Sequence, residues 1–242
     1  MKTLALLALS TLASAAMAAQ PTSPASISIT GTSYQTASIS NTTVRNTSHE
    51  NNDALQNMAS NSGDISIAGR SEQSVSTLRG TVTNEAVNRD DFANQNISSN
   101  AGKVMVANGG KSYQTSNLTD TDVTNKAEGG SADALQNLAS NNGEVTIGGE
   151  SHQTVGSTNS TVSNLASGSN ALATQNLSSN FGHVTIAAGG YSSQTTYLAG
   201  AIVANQALGA NSHAAQNIAS NDACDEPRDP CADGRCQRGS GW

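Results

Sequence analysis

The residues of this chain best placed to do chemistry are not acids, bases or nucleophiles. They are primary amides, which recur at fixed intervals. Gln-Asn occurs at Gln56-Asn57, Gln95-Asn96, Gln136-Asn137, Gln175-Asn176 and Gln216-Asn217, with successive separations of 39, 41, 39 and 41 residues. A second glutamine recurs at Gln35, Gln73, Gln114, Gln153 and Gln194, and nine residues after each stands Val44, Val82, Val123, Val162 or Val203. Asn46, Asn84, Asn125, Asn164 and Asn205 lie two residues further on, and every Gln-Asn leads into a Ser-Asn step. A carboxamide carries both N–H donors and a carbonyl acceptor. Copies stacked at strand spacing, about 4.8 Å, can each donate to one neighbour and accept from the other. The chemistry these intervals allow is hydrogen bonding along a stack, with the columns headed by Gln56, Asn57 and Gln35 as its ladders.

Other chemistries lack a recurring arrangement. His49, His152, His183 and His213 occupy four unlike positions of the repeat, so no common site returns. Asp90-Asp91 and Asp120/Asp122 sit in variable segments without a calcium-binding nonapeptide around them. Hydroxyls are so frequent that one near a histidine carries no information. Sequons such as Asn96-Ile97-Ser98 follow from the ladder composition. Cys224, Cys231 and Cys236 fall together in the tail, where three cysteines suggest one disulfide and an odd thiol. They serve either as a small disulfide-closed cap or as a covalent link between subunits. Zinc is not expected there, because a fourth ligand and a Cys-x-x-Cys pair are both missing. The reading is therefore not an enzyme, with no cofactor and no metal.

Positioning such ladders requires extended structure. Ile27-Ser28-Ile29, Ile65-Ser66-Ile67, Val104-Met105-Val106, Val145-Thr146-Ile147 and Val184-Thr185-Ile186 alternate with period two and use β-branched residues almost throughout. Gly63, Gly102, Gly143 and Gly182 precede four of them and read as turns. Each unit is thus a strand, a Gly-rich turn, a Gln segment, a Val-x-Asn segment and an Ala-x-Gln-Asn segment. Five whole units fill residues 25–221, approximately 25–61, 62–100, 101–141, 142–180 and 181–221. From the first apolar strand residue to the next glutamine is 8 residues in three units and 10 in the third and fifth. The longer form is set by Asn108-Gly109-Gly110 and Ala188-Gly189-Gly190. An even insertion at a turn leaves the same side chains facing inward afterwards. Helical repeats would show a period of 3.6 and better helix formers. The expected fold is all-β, a β-solenoid of stacked cross-β layers built from five repeats of about 40 residues. Two charge columns, Asp64/Lys103/Glu144/His183 and Glu85/Lys126, alternate mostly in sign and favour stacking in chain order.

The ends and the bulk composition narrow the setting. Lys2, the apolar run Thr3 to Leu12 and Ala16-Met17-Ala18 read as a signal peptide over 1–18, implying export. No later segment is long and apolar enough for a transmembrane helix, so membrane insertion is not expected. Aromatics are 3% and charged residues 12%, too little for an ordinary core and too little charge for ordinary disorder. A formal charge of -7 and a pI near 4.9 speak against a nucleic-acid partner. Beyond Asn221, residues 222–242 change abruptly in composition and form a separate Cys-containing tail.

Asn180-Phe181-Gly182-His183-Val184-Thr185-Ile186-Ala187-Ala188-Gly189, with Gln194 after it, resembles the Asn/Ser-rich lead, Gly-Val-x-Val-Ala-Ala-Gly stretch and following Gln of the Fap functional amyloids. Those are biofilm fibre subunits. Curli subunits are a related comparison, with a repeat near half this length, so each unit here is either one layer or two half-length ones. The chain departs from the Fap pattern in its cysteine spacing and in its contiguous repeats. The resemblance implies secretion through an outer-membrane export pore and self-assembly into an extracellular or cell-surface fibre of a biofilm matrix. Partners would be copies of the chain itself and a paralogous subunit. Alternatives are a monomeric solenoid adhesin presenting the variable turns as a binding module, and a minor nucleator of a sister subunit.

Overall fold

The computed structural model describes residues 26–49, 53–87, 91–107 and 109–222. The signal peptide expected at 1–18 and the three cysteines of the tail lie outside these residues.

Every described element is a β-strand, and each repeat contributes five of them. The first layer runs Ser26–Ile29, Ser33–Ser40, Thr43–His49, Ala54–Met58 and Asn61–Ser62. The third runs Val104–Val106, Lys111–Thr119, Asp122–Glu128, Asp133–Leu138 and Asn141–Asn142. The fifth runs Val184–Thr185, Ser192–Ala199, Ile202–Leu208, His213–Ile218 and Asn221–Asp222. Corresponding strands pair only with the layers before and after, giving five five-stranded sheets, each with one strand per layer. All pairings are parallel and in repeat register: Val123 lies between Val82 and Val162, and Gln136 between Gln95 and Gln175. One unit is therefore one turn of a β-solenoid, not two half-length layers.

Two corners of every layer are turned by a single residue in the left-handed region. After the second strand these are Asn41, Arg79, Asp120, Asn159 and Gly200; after the fourth they are Ala59, Ser98, Ala139, Ser178 and Ala219. One such residue redirects the chain while its peptide groups still bond to the layers beside it; Asn141 N, just past Ala139, reaches Ser179 O at 2.9 Å. The corner after the third strand is tighter. A Cβ on Gly168 would sit 1.9 Å from the carbonyl oxygen of Gly129, so backbone stacks directly on backbone there.

The two-residue insertion of the third repeat is absorbed between Val106 and Lys111. Val104 still pairs with Ile65 and Lys111 with Arg70, so Tyr113 keeps the outward position of Glu72. The expectation of an even, register-preserving insertion holds.

The interior divides into three apolar columns. Val75, Leu118 and Val155 of the second strands meet Val82, Val123 and Val162 of the third and Ile97, Leu138 and Leu177 of the fourth. Alanines fill the next space, among them Ala86, Ala127 and Ala166 against Ala93, Ala134 and Ala173. Ile65, Ile67, Val104, Val106, Val145 and Ile147 of the first strands form a cluster of their own. Each fully buried Val, Leu or Ile contributes about 1.5–3 kcal/mol. Composition alone makes this core look thin; stacking answers that, because the valines of the third strands and the alanines of the third and fourth pack on their own copies.

Candidate functional site

Between the apolar columns run four continuous amide ladders. In the first, Gln95 Nε2 donates to Gln56 Oε1, Gln136 to Gln95, Gln175 to Gln136 and Gln216 to Gln175, at 2.8, 2.8, 2.6 and 2.5 Å. In the second, Asn96, Asn137, Asn176 and Asn217 each donate to the asparagine one layer earlier, from Asn57 onward, at 2.8–3.0 Å. These are two of the three ladders the sequence predicts. A third joins Asn46, Asn84, Asn125, Asn164 and Asn205 at 2.7–2.8 Å. A fourth joins Asn61, Asn100, Asn141, Asn180 and Asn221 at 2.7–2.9 Å. The intervals of both are regular in the sequence, but the bonds follow only from the fold.

The ladders have direction. The first two donate toward the preceding layer, the last two toward the following one. Aligned amide dipoles reinforce one another along a ladder, and opposed pairs of ladders offset the sum. Side bonds tie the sheets together across the interior. Asn125 Nδ2 also donates to Ala93 O and Leu135 O, and Gln136 Nε2 to Ser163 O. A buried amide costs stability unless its groups are paired, and in these ladders they are.

The third expected ladder does not form: Gln35, Gln73, Gln114, Gln153 and Gln194 stack in register but do not bond to one another, because an asparagine of the same layer draws each donor sideways. Each donates within its own layer to the fourth ladder: Gln35 to Asn61, Gln73 to Asn100, Gln114 to Asn141, Gln153 to Asn180 and Gln194 to Asn221, at 2.8–3.3 Å. Among the described residues the buried Oε1 atoms of Gln35, Gln73, Gln114 and Gln153 receive no hydrogen bond. This column braces the second sheet against the fifth.

The outer face carries ionic columns. Glu85 meets Arg45 at 3.0 Å and Lys126 at 3.3 Å, as the Glu85/Lys126 alternation predicts, and Lys126 also meets Glu128 at 2.9 Å. Asp64, Lys103, Glu144 and His183 stack in the expected order, with Ile65 N on Lys103 O, Val104 N on Glu144 O and Val145 N on His183 O. Ion pairs among the described residues form elsewhere. Glu150 is a hub: Lys111 Nζ lies 2.7 Å away, His152 Nε2 2.8 Å and the Tyr113 hydroxyl 3.1 Å. Hydrogen bonds from Lys111, then His152 and Tyr113, hold its carboxyl at about 2, well below the usual 4.5. The same bond to Glu150 raises Lys111. The Tyr113 ring stacks on His152 with centroids 5.1 Å apart, Arg70 covers Tyr113 at 4.7 Å, and Tyr191 meets His152 edge-on.

The histidines stay apart: His49 ends a third strand, His152 lies in a second strand, His183 precedes a first strand, and His213 opens a fourth. Among the described residues no group of three or more His, Cys, Asp or Glu side chains could hold a metal ion, and no helix is long and apolar enough to cross a membrane.

The remaining site is the pair of end layers. In the fifth layer inward-facing residues that are sealed in the middle are open: Leu118 and Leu138 are about 1% and 0% exposed, but Leu198 and Ile218 of the same columns are 45% and 38%. The first layer is open only in part, with Ile27 at 53% but Ala54, Gln56 and Asn61 at 1%, 7% and 0%. The fold and these ladders define the class, a parallel β-solenoid of one-turn repeats with internal amide ladders. Comparison with models of protein families, with curated proteins and with solved structures finds no match to this chain.

Proposed function

We propose that this chain is an exported structural subunit that assembles with copies of itself into amyloid-like fibres of an extracellular biofilm matrix. One observation carries the reading: four amide ladders run unbroken through five layers, and in the fifth layer the inward-facing Leu198 and Ile218 lie 45% and 38% exposed. Among the described residues the five strands of the fifth layer have no layer beyond them, a row of strand edges of the kind natural β-proteins usually blunt. Adding a layer satisfies them with bonds the interior already makes. The formal charge of -7 is low for 242 residues, so repulsion between stacked copies is modest. Passage through an outer-membrane pore and co-assembly with a paralogous subunit belong to the same proposal.

The test is incubation of the purified chain lacking residues 1–18. Fibres with a meridional reflection near 4.8 Å, accelerated by added fibre fragments, are the expected result. A chain that stays monomeric and soluble for days, seeded or not, overturns the reading.

A further inference from the structure

All four tyrosines of the chain lie on one surface, the outer face of the second sheet. Tyr34, Tyr113 and Tyr197 point outward from second strands, and Tyr191 stands just before the last of these strands. Tyr34, Tyr191 and Tyr197 are 66%, 61% and 67% exposed, so burial does not explain them.

At one end of this face Tyr191 meets His152 edge-on, one layer past the Glu150 hub. Its φ of 129° lies in the left-handed region, which Arg70, Lys111 and Glu150 of the same column do not enter. A bulky residue is held there only where its surroundings over-determine it, and such strain gathers at binding sites. Glu150 accepts from Lys111, His152 and Tyr113, which leaves one of a carboxylate's roughly four acceptor positions free.

At the other end Tyr197 pairs with Gly156 of the layer before. The missing side chain leaves a gap in the column beside the ring. The amide of Asn117 borders it, with Oδ1 3.0 Å from where a Cβ on Gly156 would stand. Between the two ends lie the hydroxyls of Thr115, Thr154 and Thr195, stacked in register, and of Ser193.

These groups select a ligand chemistry. The charges of the face cancel in pairs, Arg70 with Glu72 and Lys111 with Glu150, which favours neither an anion nor a cation. The exposed rings are separated by hydroxyls and do not make the contiguous apolar patch of a protein interface. A sugar offers both things this face can use, C–H surface for the rings and hydroxyls for the amide, the threonines and the carboxylate. Tyr191 and Tyr197 are six residues apart, about 20 Å at the rise of a strand. That span exceeds one sugar ring and calls for a polymer.

We propose that the outer face of the second sheet binds a neutral polysaccharide, with Tyr191 and Tyr197 each stacking on a sugar ring and Glu150 and Asn117 bonding its hydroxyls. The face runs along the side of the solenoid, so end-to-end stacking of copies leaves it open. The site therefore stands independently of the fibre reading.

Native gels cast with hydroxyethyl cellulose, galactomannan or dextran test it on the soluble chain lacking residues 1–18. At least one of the three polymers should retard the parent. Tyr191→Gly removes the ring at a backbone conformation that glycine adopts freely, so folding is not at risk. It and Tyr197→Ala should each weaken retardation about five- to tenfold, while Tyr191→Phe keeps most of it. Ile202→Ala, which trims an equally exposed apolar residue of the third sheet, should bind as the parent does. Circular dichroism checks that all variants share the parent β signal. The proposal is overturned if none of the three polymers retards the parent, or if anionic alginate alone does. It is equally overturned if Tyr191→Gly and Tyr197→Ala run as the parent, or if Ile202→Ala costs as much as they do.

Discussion

Two columns of glutamine run the length of this molecule with the same period, and they do different work. Gln136 sits between Gln95 and Gln175, bonded to both, while Gln114 sits between Gln73 and Gln153, bonded to neither. Both are fully buried. The contrast comes from what faces each column. Gln136 reaches its own kind along the stack and Ser163 O across it. Gln114 finds Asn141 Oδ1 within its layer, which draws its donor sideways and leaves Oε1 unpartnered among the described residues. A periodic amide therefore marks a column; it does not by itself mark a ladder.

The largest expected effect breaks the bonded column. Gln136→Met keeps the length and flexibility of the side chain but deprives Gln95 Oε1 and Ser163 O of a donor and Gln175 Nε2 of an acceptor. Orphaned buried polar groups cost about 1–3 kcal/mol each, so the loss should be roughly 3–5 kcal/mol. Urea unfolding of the soluble chain measures it. Gln114→Met sharpens the comparison from the other side. Asn141 Oδ1 keeps its bond from Asn100, and the unpartnered Oε1 disappears. The expected loss is about 0–1 kcal/mol. Equal costs for the two substitutions would show that the columns are equivalent after all.

The same contrast explains what could be read before the structure. Spacing alone reveals layers, their order and the strand content, because parallel in-register stacking places like on like and each copy repeats the constraint. The Gln56 and Asn57 ladders follow directly from it. The partner of Gln35 does not, since it depends on which sheets face one another across the interior. Single corner residues in the left-handed region decide that. At the second corner these are Ala59, Ser98, Ala139, Ser178 and Ala219, and neither alanine nor serine marks the left-handed region as glycine or asparagine does. The same gap hid the ladders of Asn46 and Asn61, whose intervals are regular but whose neighbours are set by those corners. The Tyr113–His152 stack was invisible for a different reason. Its column reads Tyr34, Glu72, Tyr113, His152 and Ser193, so nothing in it repeats until the register is known.

That unrepeated column supplies the smallest and most conditional effect, because its bonds depend on charge where the ladders' bonds do not. Glu150 is held at about 2 in the folded chain against 4.5 ordinarily, through hydrogen bonds from Lys111, His152 and Tyr113. A depressed carboxyl contributes stability that is fully present above about 4.5 and is lost as pH falls through about 2. The side chain is 31% exposed, so the contribution is screened and small. Melting temperature measured from pH 5 to pH 2 should fall more steeply for the parent than for Glu150→Gln. The amides of Gln136 and Asn125 do not titrate in this window, so the ladders should persist throughout it. If Glu150→Gln leaves the acid slope unchanged, the outer column is not a pH-dependent brace, and the neutral interior alone sets the layer spacing.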